Sequence, residues 1–256
     1  MFKAIRIAVL LLILLFVSMS TWLTQARSTD WNDSLWVKVY PINGDGSVES
    51  RDYIQSLDLA NFAAIETFIA KEAERYGRTL ARPVRMELGD EIRQQPPAIG
   101  DNPNTLDIML WSMKMRWWAS SVTSGQDSPD PDVRIFVRYH APQDFEVLEN
   151  SVGLQKGMVG VVNAYAGRRH AGSNNVIIAH EFLHTLGATD KYNPATGQPD
   201  FPLGFSEPER SPRFPQRFAE IMGGRIPVSE DDAMIPKSLK YVTIGSVTAQ
   251  EIRLSD

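Results

Sequence analysis

The chain has 256 residues, of which 43% are hydrophobic and 22% charged, a composition that excludes a disordered or fibrous protein and suits one domain or two closely packed lobes. A formal net charge of -5 leaves no basic excess with which to follow a phosphate backbone, so nucleic acid is not an expected partner. Cysteine is absent, which rules out disulfides and thiolate metal sites, and any zinc has to be held by His, Asp or Glu.

Lys3 and Arg6 precede an apolar run from Ile7 to Val17, with milder residues as far as Leu23. This is a membrane-targeting segment. Read as a cleaved signal, it ends on Thr24-Gln25-Ala26, a loose small-x-small cleavage pattern. Read as an uncleaved anchor, Ile7 to Ala26 is just long enough to cross the hydrocarbon layer, with Trp22 at the outer interface. Either way Lys3 and Arg6 stay on the cytoplasmic side, and the chain from about Arg27 onward is expected outside the cytoplasm. The expected location is therefore membrane-anchored, or secreted or periplasmic after cleavage.

Leu35 to Tyr40 alternates like a strand and runs into Pro41 and the turn-forming Asn43-Gly44-Asp45-Gly46. Those residues lack the spacing and the bidentate Glu of a calcium loop, so they read as a solvated turn. Phe62, Ile65, Phe68, Ile69 and Ala73 recur at helical spacing between Asp58 and Tyr76, with Asp58 as N-cap and Gly77 as stop. Val84, Met86 and Leu88 form a short strand before a Pro-rich loop from Gln94 to Pro103. Thr105 to Val122 is helical, and its Met109, Trp111, Met113, Met115, Trp117 and Trp118 read mostly as core or interface residues rather than an aromatic ligand platform. Strands follow at Val133 to His140, at Phe145 to Glu149 as a short edge, and at Met158 to Tyr165, a run rich in Gly and Val.

Asn174 to Gly187 reads N-N-V-I-I-A-H-E-F-L-H-T-L-G, a helix with polar caps at its start and a glycine at its stop. Val176, Ile178, Ala179, Phe182, Leu183 and Leu186 cover most of its circumference, so it is a buried helix. His180, Glu181 and His184 stand inside it. Burying two imidazoles and a carboxylate costs several kcal/mol unless each finds a partner, and one divalent ion would serve all three. Four residues of helix bring the two imidazoles one above the other over about 6 Å of rise. Glu181 is offset by one position, out of direct coordination but within reach of a water on that ion. Gly187 suits the left-handed position that ends a helix and lets the chain return Asp190 toward the metal.

The string from His180 to Asp190, H-E-x-x-H-x-x-G-x-x-D, resembles the extended motif of metzincin peptidases in the form that uses Asp as third ligand, as in the snapalysin group. Glu220-Ile221-Met222-Gly223-Gly224 is similar to the family's Met-turn, which makes Met222 the candidate methionine. The resemblance implies an α+β fold: a mixed twisted sheet with an active-site helix and a small C-terminal lobe carrying the Met-turn and a closing helix that Thr248 to Glu251 could cap. With the signal peptide or anchor read above at 1–27, it implies a catalytic lobe at 28–190 and a C-terminal lobe at 191–256. The motifs cover about a fifth of the chain; the helix from Thr105 and the Pro-rich loop from Pro194 to Pro215 depart from the pattern.

The same resemblance implies a zinc metalloendopeptidase-like enzyme with peptide or protein substrates. Zn2+ is held by His180, His184 and Asp190, and Glu181 takes the proton from the attacking water and passes it to the leaving amine. Glu207, Glu209 or Glu220 are alternatives to Asp190 as third ligand. Tyr192, Tyr241 and His170 are candidate donors to the oxyanion. His140 and His170 otherwise read as structural, and Arg168-Arg169-His170 as a solvated turn. Two other functions remain open: a non-catalytic membrane-anchored envelope protein with a relic metal site, and a zinc hydrolase of a non-peptide amide.

Overall fold

In a computed structural model, residues 6, 29–100, 104–125, 130–142, 151–155 and 157–255 are described. Strands β1 (Leu35–Asn43), β2 (Val84–Leu88), β3 (Val133–His140), β4 (Val152–Leu154) and β5 (Val159–Tyr165) form one mixed sheet in the order β2-β1-β3-β5-β4. All neighbours are parallel except β4, which runs antiparallel to β5 at the edge.

Successive side chains of a strand face opposite ways, and here both faces are apolar. Val37, Val39, Ile135, Val137, Val162 and Ala164 join one core, whereas Tyr40, Ile42, Phe136 and Val161 join a second. The first core is closed by helices α1 (Val48–Gln55), α2 (Ala63–Arg75) and α4 (Ala171–Leu186), and the second by α3 (Thr105–Thr123). Parallel strands covered on both sides are the arrangement that such continuous Val/Ile runs require.

Several boundaries differ from the sequence expectation. Strand β1 does not stop at Pro41 but continues to Asn43, because Pro41 keeps its place opposite Val137 and its carbonyl accepts the Ile92 N–H. Asp58 caps a 3-10 turn, Leu59–Phe62, by a reciprocal box with Asn61, and α2 begins after it. Helix α1, capped by Ser47, follows the turn at Asn43 without having been anticipated. The one acid of that turn is engaged by backbone: Asp45 accepts from Ser47 N and from Ala141 N.

Beyond α4 the described part of the chain forms short strand pairs, Ala219–Glu220 with Val242–Thr243 and Ile226–Pro227 with Ala233–Met234, the 3-10 turns Ile221–Gly223 and Leu239–Tyr241, and a closing helix α5 (Ser246–Glu251). It is tied back to the first half by long-range bonds: Trp31 Nε1 donates to Ile252 O, Tyr76 OH to Ile244 O, and Ile244 N to Glu72. The apolar leader and the strand expected at Phe145 to Glu149 lie outside the described residues. Among the described residues no helix is long and apolar enough to cross a membrane.

Candidate metal centre

Helix α4 starts three residues earlier than its polar sequence suggested. Asn174 and Asn175 are not caps; both are buried, Asn174 bonding Tyr165 N and O on β5 and Asn175 donating to Asn61 O. These amides fix the helix against the sheet and against α2. At the other end Gly187 is left-handed (φ 110°), and Ala188 N returns to Leu183 O, the glycine stop expected from sequence. The chain reverses there and brings Asp190 back beside the helix.

His180 and His184 lie one turn apart with ring centroids 4.7 Å apart. Each ring has its Nδ1 on a backbone carbonyl: Ile221 O at 2.9 Å for His180 and Ala188 O at 2.8 Å for His184. A carbonyl only accepts, so both Nδ1 atoms carry the hydrogen, and both neutral rings are left with a bare Nε2. Those two nitrogens face each other at 3.0 Å, and Asp190 Oδ1 lies 3.0 Å from one and 3.2 Å from the other. Three lone-pair donors therefore converge with no hydrogen of their own to share. Tetrahedral zinc with bonds of about 2.0–2.1 Å sets its donors about 3.3–3.4 Å apart, so the triangle has nearly the edge length of a zinc site. Nitrogen and carboxylate donors of this kind fit such an ion.

The electrostatics follow from that convergence. Burial alone would push the His180 imidazole down, but the Asp190 carboxylate, to which the protonated ring can donate, the charge of Glu181 and the Ile221 carbonyl together hold it above its ordinary value. Burial would raise Asp190, and the two imidazoles overcome it and hold the carboxyl well below the usual carboxylate range. Glu181 is 4% exposed and is pushed up by burial against the lowering effect of the two histidines. Its Oε2 is buried without a hydrogen-bond partner. His180, Glu181 and His184 form a group that could hold a metal, their ligand atoms lying within 4.8 Å of one another.

Asp190 is held by its neighbours. Glu251 on α5 accepts from Thr189 N (3.0 Å), Thr189 Oγ1 (2.6 Å) and Lys191 Nζ (2.7 Å), and Lys191 Nζ also donates to Thr189 O. Lys191 N in turn reaches Met222 O. The residues on both sides of Asp190 are thus clamped. Sequence reasoning missed Glu251, which stands about sixty residues from this loop and read there only as part of a helix cap. Two of the three alternative ligands are engaged elsewhere: Glu207 pairs with Arg217, and Glu220 accepts from Met222 N, Gly223 N, Gly245 N and Thr248 Oγ1, while Glu209 is exposed.

That use of Glu220 builds the tight turn Ile221–Gly223, which is buried and presents Ile221 O to His180, with Met222 fully enclosed. Of the candidate oxyanion donors, Tyr192 has its ring 6.4 Å from that of His180, and burial, with the negative charges of Asp190 and Glu181 nearby, raises the pKa of its phenol. Tyr241 is half-exposed on the turn Leu239–Tyr241. His170 is not at the site: it occupies the N-cap of α4, ten residues and about 15 Å of helix rise from His180. His140 bonds Asn163.

The edge strand also closes on the centre. A Cβ built on Gly153 of β4 would lie 2.4 Å from His184 Cβ, 2.8 Å from Glu181 O and 3.1 Å from Glu181 Oε2. Only glycine allows the strand to lie this close to the helix.

No protein-family model matches the sequence, and no curated protein is matched by it. Solved structures of OgpA from Akkermansia muciniphila are similar in part. Catalytic inactive OgpA in complex with an O-glycopeptide substrate (glycodrosocin) matches at 10% identity and a TM-score of 0.33, over 84% of this chain and 58% of that one. Wild-type OgpA matches at 10% identity and a TM-score of 0.33, over 86% and 63%. The chain thus spans less than two thirds of the OgpA chains that it matches.

Proposed function

We propose that this protein is a zinc-dependent metallohydrolase that cleaves peptide bonds, with His180, His184 and Asp190 as ligands and Glu181 as the base. The observation that carries the reading is the convergence of two bare imidazole nitrogens and a carboxylate oxygen, each imidazole locked in that tautomer by a backbone carbonyl. The extended motif, which resembles the metzincin form with Asp as third ligand, supports it, and Met222 in the turn beneath His180 is in keeping with a Met-turn.

When bound, the ion supplies a Lewis acid that lowers the pKa of a water and polarises a carbonyl. The chain does the rest. Asp190 offsets one of the two charges, so the site keeps a net charge near +1. Glu181, with Oε2 free of other partners, takes the proton from the attacking water and returns it to the leaving nitrogen as the C–N bond breaks. The Tyr192 phenol, beside Asp190 and His180, donates to the oxyanion that develops on the carbonyl.

A peptide, rather than a small non-peptide amide, is favoured by β4. Among the described residues it is one of the two edges of the sheet, and its backbone passes directly over Glu181 and His184. An extended peptide added to that edge would lie across the site. The test uses purified full-length protein: about one zinc per chain by elemental analysis, and hydrolysis of a peptide library that Glu181→Gln abolishes while its zinc is retained. Absence of zinc would end the reading. Turnover only of non-peptide amides in a parallel screen would replace the substrate class, and zinc without any turnover would leave the relic-site alternative.

A further inference from the structure

Helix α3 is apolar on two opposite sides. Trp111, Met115, Trp118, Ala119 and Val122 pack on the sheet against Tyr40 and Phe136. At about 100° per residue, Leu106, Met109, Leu110, Met113 and Trp117 fall within an arc of roughly 100° on the other side. All five are exposed, Leu106 at 65% and Trp117 at 75%. Sequence reasoning took most of the helix's methionines and tryptophans for core or interface; the structure divides them between a buried side and an outward one. An outward stripe of this length on one helix is what a docking face looks like.

The charges beside the stripe indicate the occupant. Lys114 borders it on one side and Arg116 on the other, both exposed. The only acid of the helix, Asp107, is turned back to the Asn104 N–H in the N-terminal capping box. A stripe of Leu, Met and Trp between two cationic rails complements a bilayer surface with acidic headgroups: the apolar side chains enter the acyl boundary, Trp117 sits at headgroup level and the two cations meet phosphates. Helix α3 does not meet the requirements for crossing a membrane, in keeping with a helix that lies on one. The leader read from sequence, outside the described residues, is expected to bring the chain to the same surface.

We infer that the outward face of α3, Leu106 to Trp117, docks on an acidic lipid surface. This does not depend on the metal centre. Docking there would orient the domain on the bilayer and limit its reach to substrates near the membrane.

Because the chain contains no cysteine, single cysteines can be placed at will and spin-labelled. Full-length protein carrying Met109→Cys, Met113→Cys or Trp117→Cys is reconstituted in phosphatidylglycerol/phosphatidylcholine vesicles. Val48→Cys on α1, whose helix packs on the opposite face of the sheet, is the reference. These positions are already exposed, so labels there leave the fold intact, as far-ultraviolet dichroism checks. The expected result is high relaxation by oxygen and low relaxation by a water-soluble nickel chelate at the three α3 positions, reversed at residue 48. In pure phosphatidylcholine, or with Lys114→Gln and Arg116→Gln, the docked fraction should fall about fivefold per lost lipid contact. Nickel accessibility on α3 equal to that at residue 48 would overturn the proposal. So would spin–spin broadening that vanishes on dilution with unlabelled chain, which would assign the face to a second copy.

Discussion

Replacing Glu251 with alanine tests whether the closing helix sets the position of Asp190, the proposed third ligand. The carboxylate holds Thr189 through its N–H and hydroxyl and holds Lys191 through its ammonium, so its loss releases both neighbours of Asp190 at once. It also strands the Lys191 ammonium, whose side chain is 3% exposed. Removing one partner of a buried pair costs about 3–5 kcal/mol, and with Glu251 itself a quarter exposed and Thr189 O still bonded to Lys191, about 2–3 kcal/mol is the reasonable figure. At ~2–4 °C per kcal/mol for a chain of this size, the metal-free protein should melt some ~5–10 °C lower in calorimetry. Zinc affinity, measured by competition with a chromophoric chelator, should fall about 10–100-fold, as for other residues that orient ligands. The two effects are separated by a double-mutant cycle: in an Asp190→Asn background, Glu251→Ala should lower the melting temperature as before yet cost no further zinc affinity. If the full loss of affinity persists without the aspartate, Glu251 does not act through Asp190 and the clamp argument fails.

Gly153→Ala should force β4 away from α4, because the new Cβ would meet His184 Cβ and the Glu181 carbonyl, neither of which can yield; a cost of about 1–3 kcal/mol and at least a tenfold drop in kcat/KM are expected, whereas exposed Val152→Ala should change stability by under ~0.5 kcal/mol. Glu181→Gln should stabilise the metal-free protein. Burial raises the folded-state pKa of Glu181, so ionising it costs stability above the ordinary carboxylate range; the advantage of the variant should be largest at alkaline pH and vanish as pH falls below about 4, read from melting curves in chelator. Asp45 shows the opposite sign: burial opposes ionisation, but the Ala141 and Ser47 N–H groups bring its pKa down to about 2, so wild type should exceed Asp45→Asn by about 1 kcal/mol, reduced by solvent screening, above pH 4 and lose that margin as pH falls through about 2 in urea titrations.

The centre was legible where helical periodicity carried the information. His180, Glu181 and His184 share one helix, and their spacing alone determines how they face; Gly187 marked the stop that returns Asp190. Legibility failed where partners are far apart in sequence. Nothing near Glu251 or Ile221 indicates that one clamps the Asp190 loop or that the other's carbonyl fixes the His180 tautomer. The strands were readable from Val and Ile alternation, but β1 ran past Pro41 because a strand can lose one N–H without losing its register. Asn174 and Asn175 misled for a related reason: polar residues near a helix start read as caps, and here they instead bond the sheet and a neighbouring turn. In α3 composition alone could not show that one helix serves two apolar environments.

The buried carboxylates of this protein fall into two kinds, and the difference separates structure from chemistry. Glu220 takes four donors and Glu72 takes the Ile244 N–H and the Arg75 guanidinium, so each is satisfied by the chain itself. Glu181 is as deeply buried, yet its Oε2 has no partner, and beside it two imidazole lone pairs and the Asp190 oxygen point at one another. A fold that saturates its other buried acids and leaves unmet electrostatic demand within a few ångströms of one helix turn has concentrated that demand there. A cation would relieve the convergent lone pairs, and a water beside it would relieve Glu181. The carbonyls of Ile221 and Ala188 take the Nδ1 hydrogens, so in the neutral rings neither Nε2 has a hydrogen to offer the other or Asp190. Loading the protein with zinc should therefore raise its melting temperature in proportion to the logarithm of free zinc, and His184→Ala should remove most of that dependence.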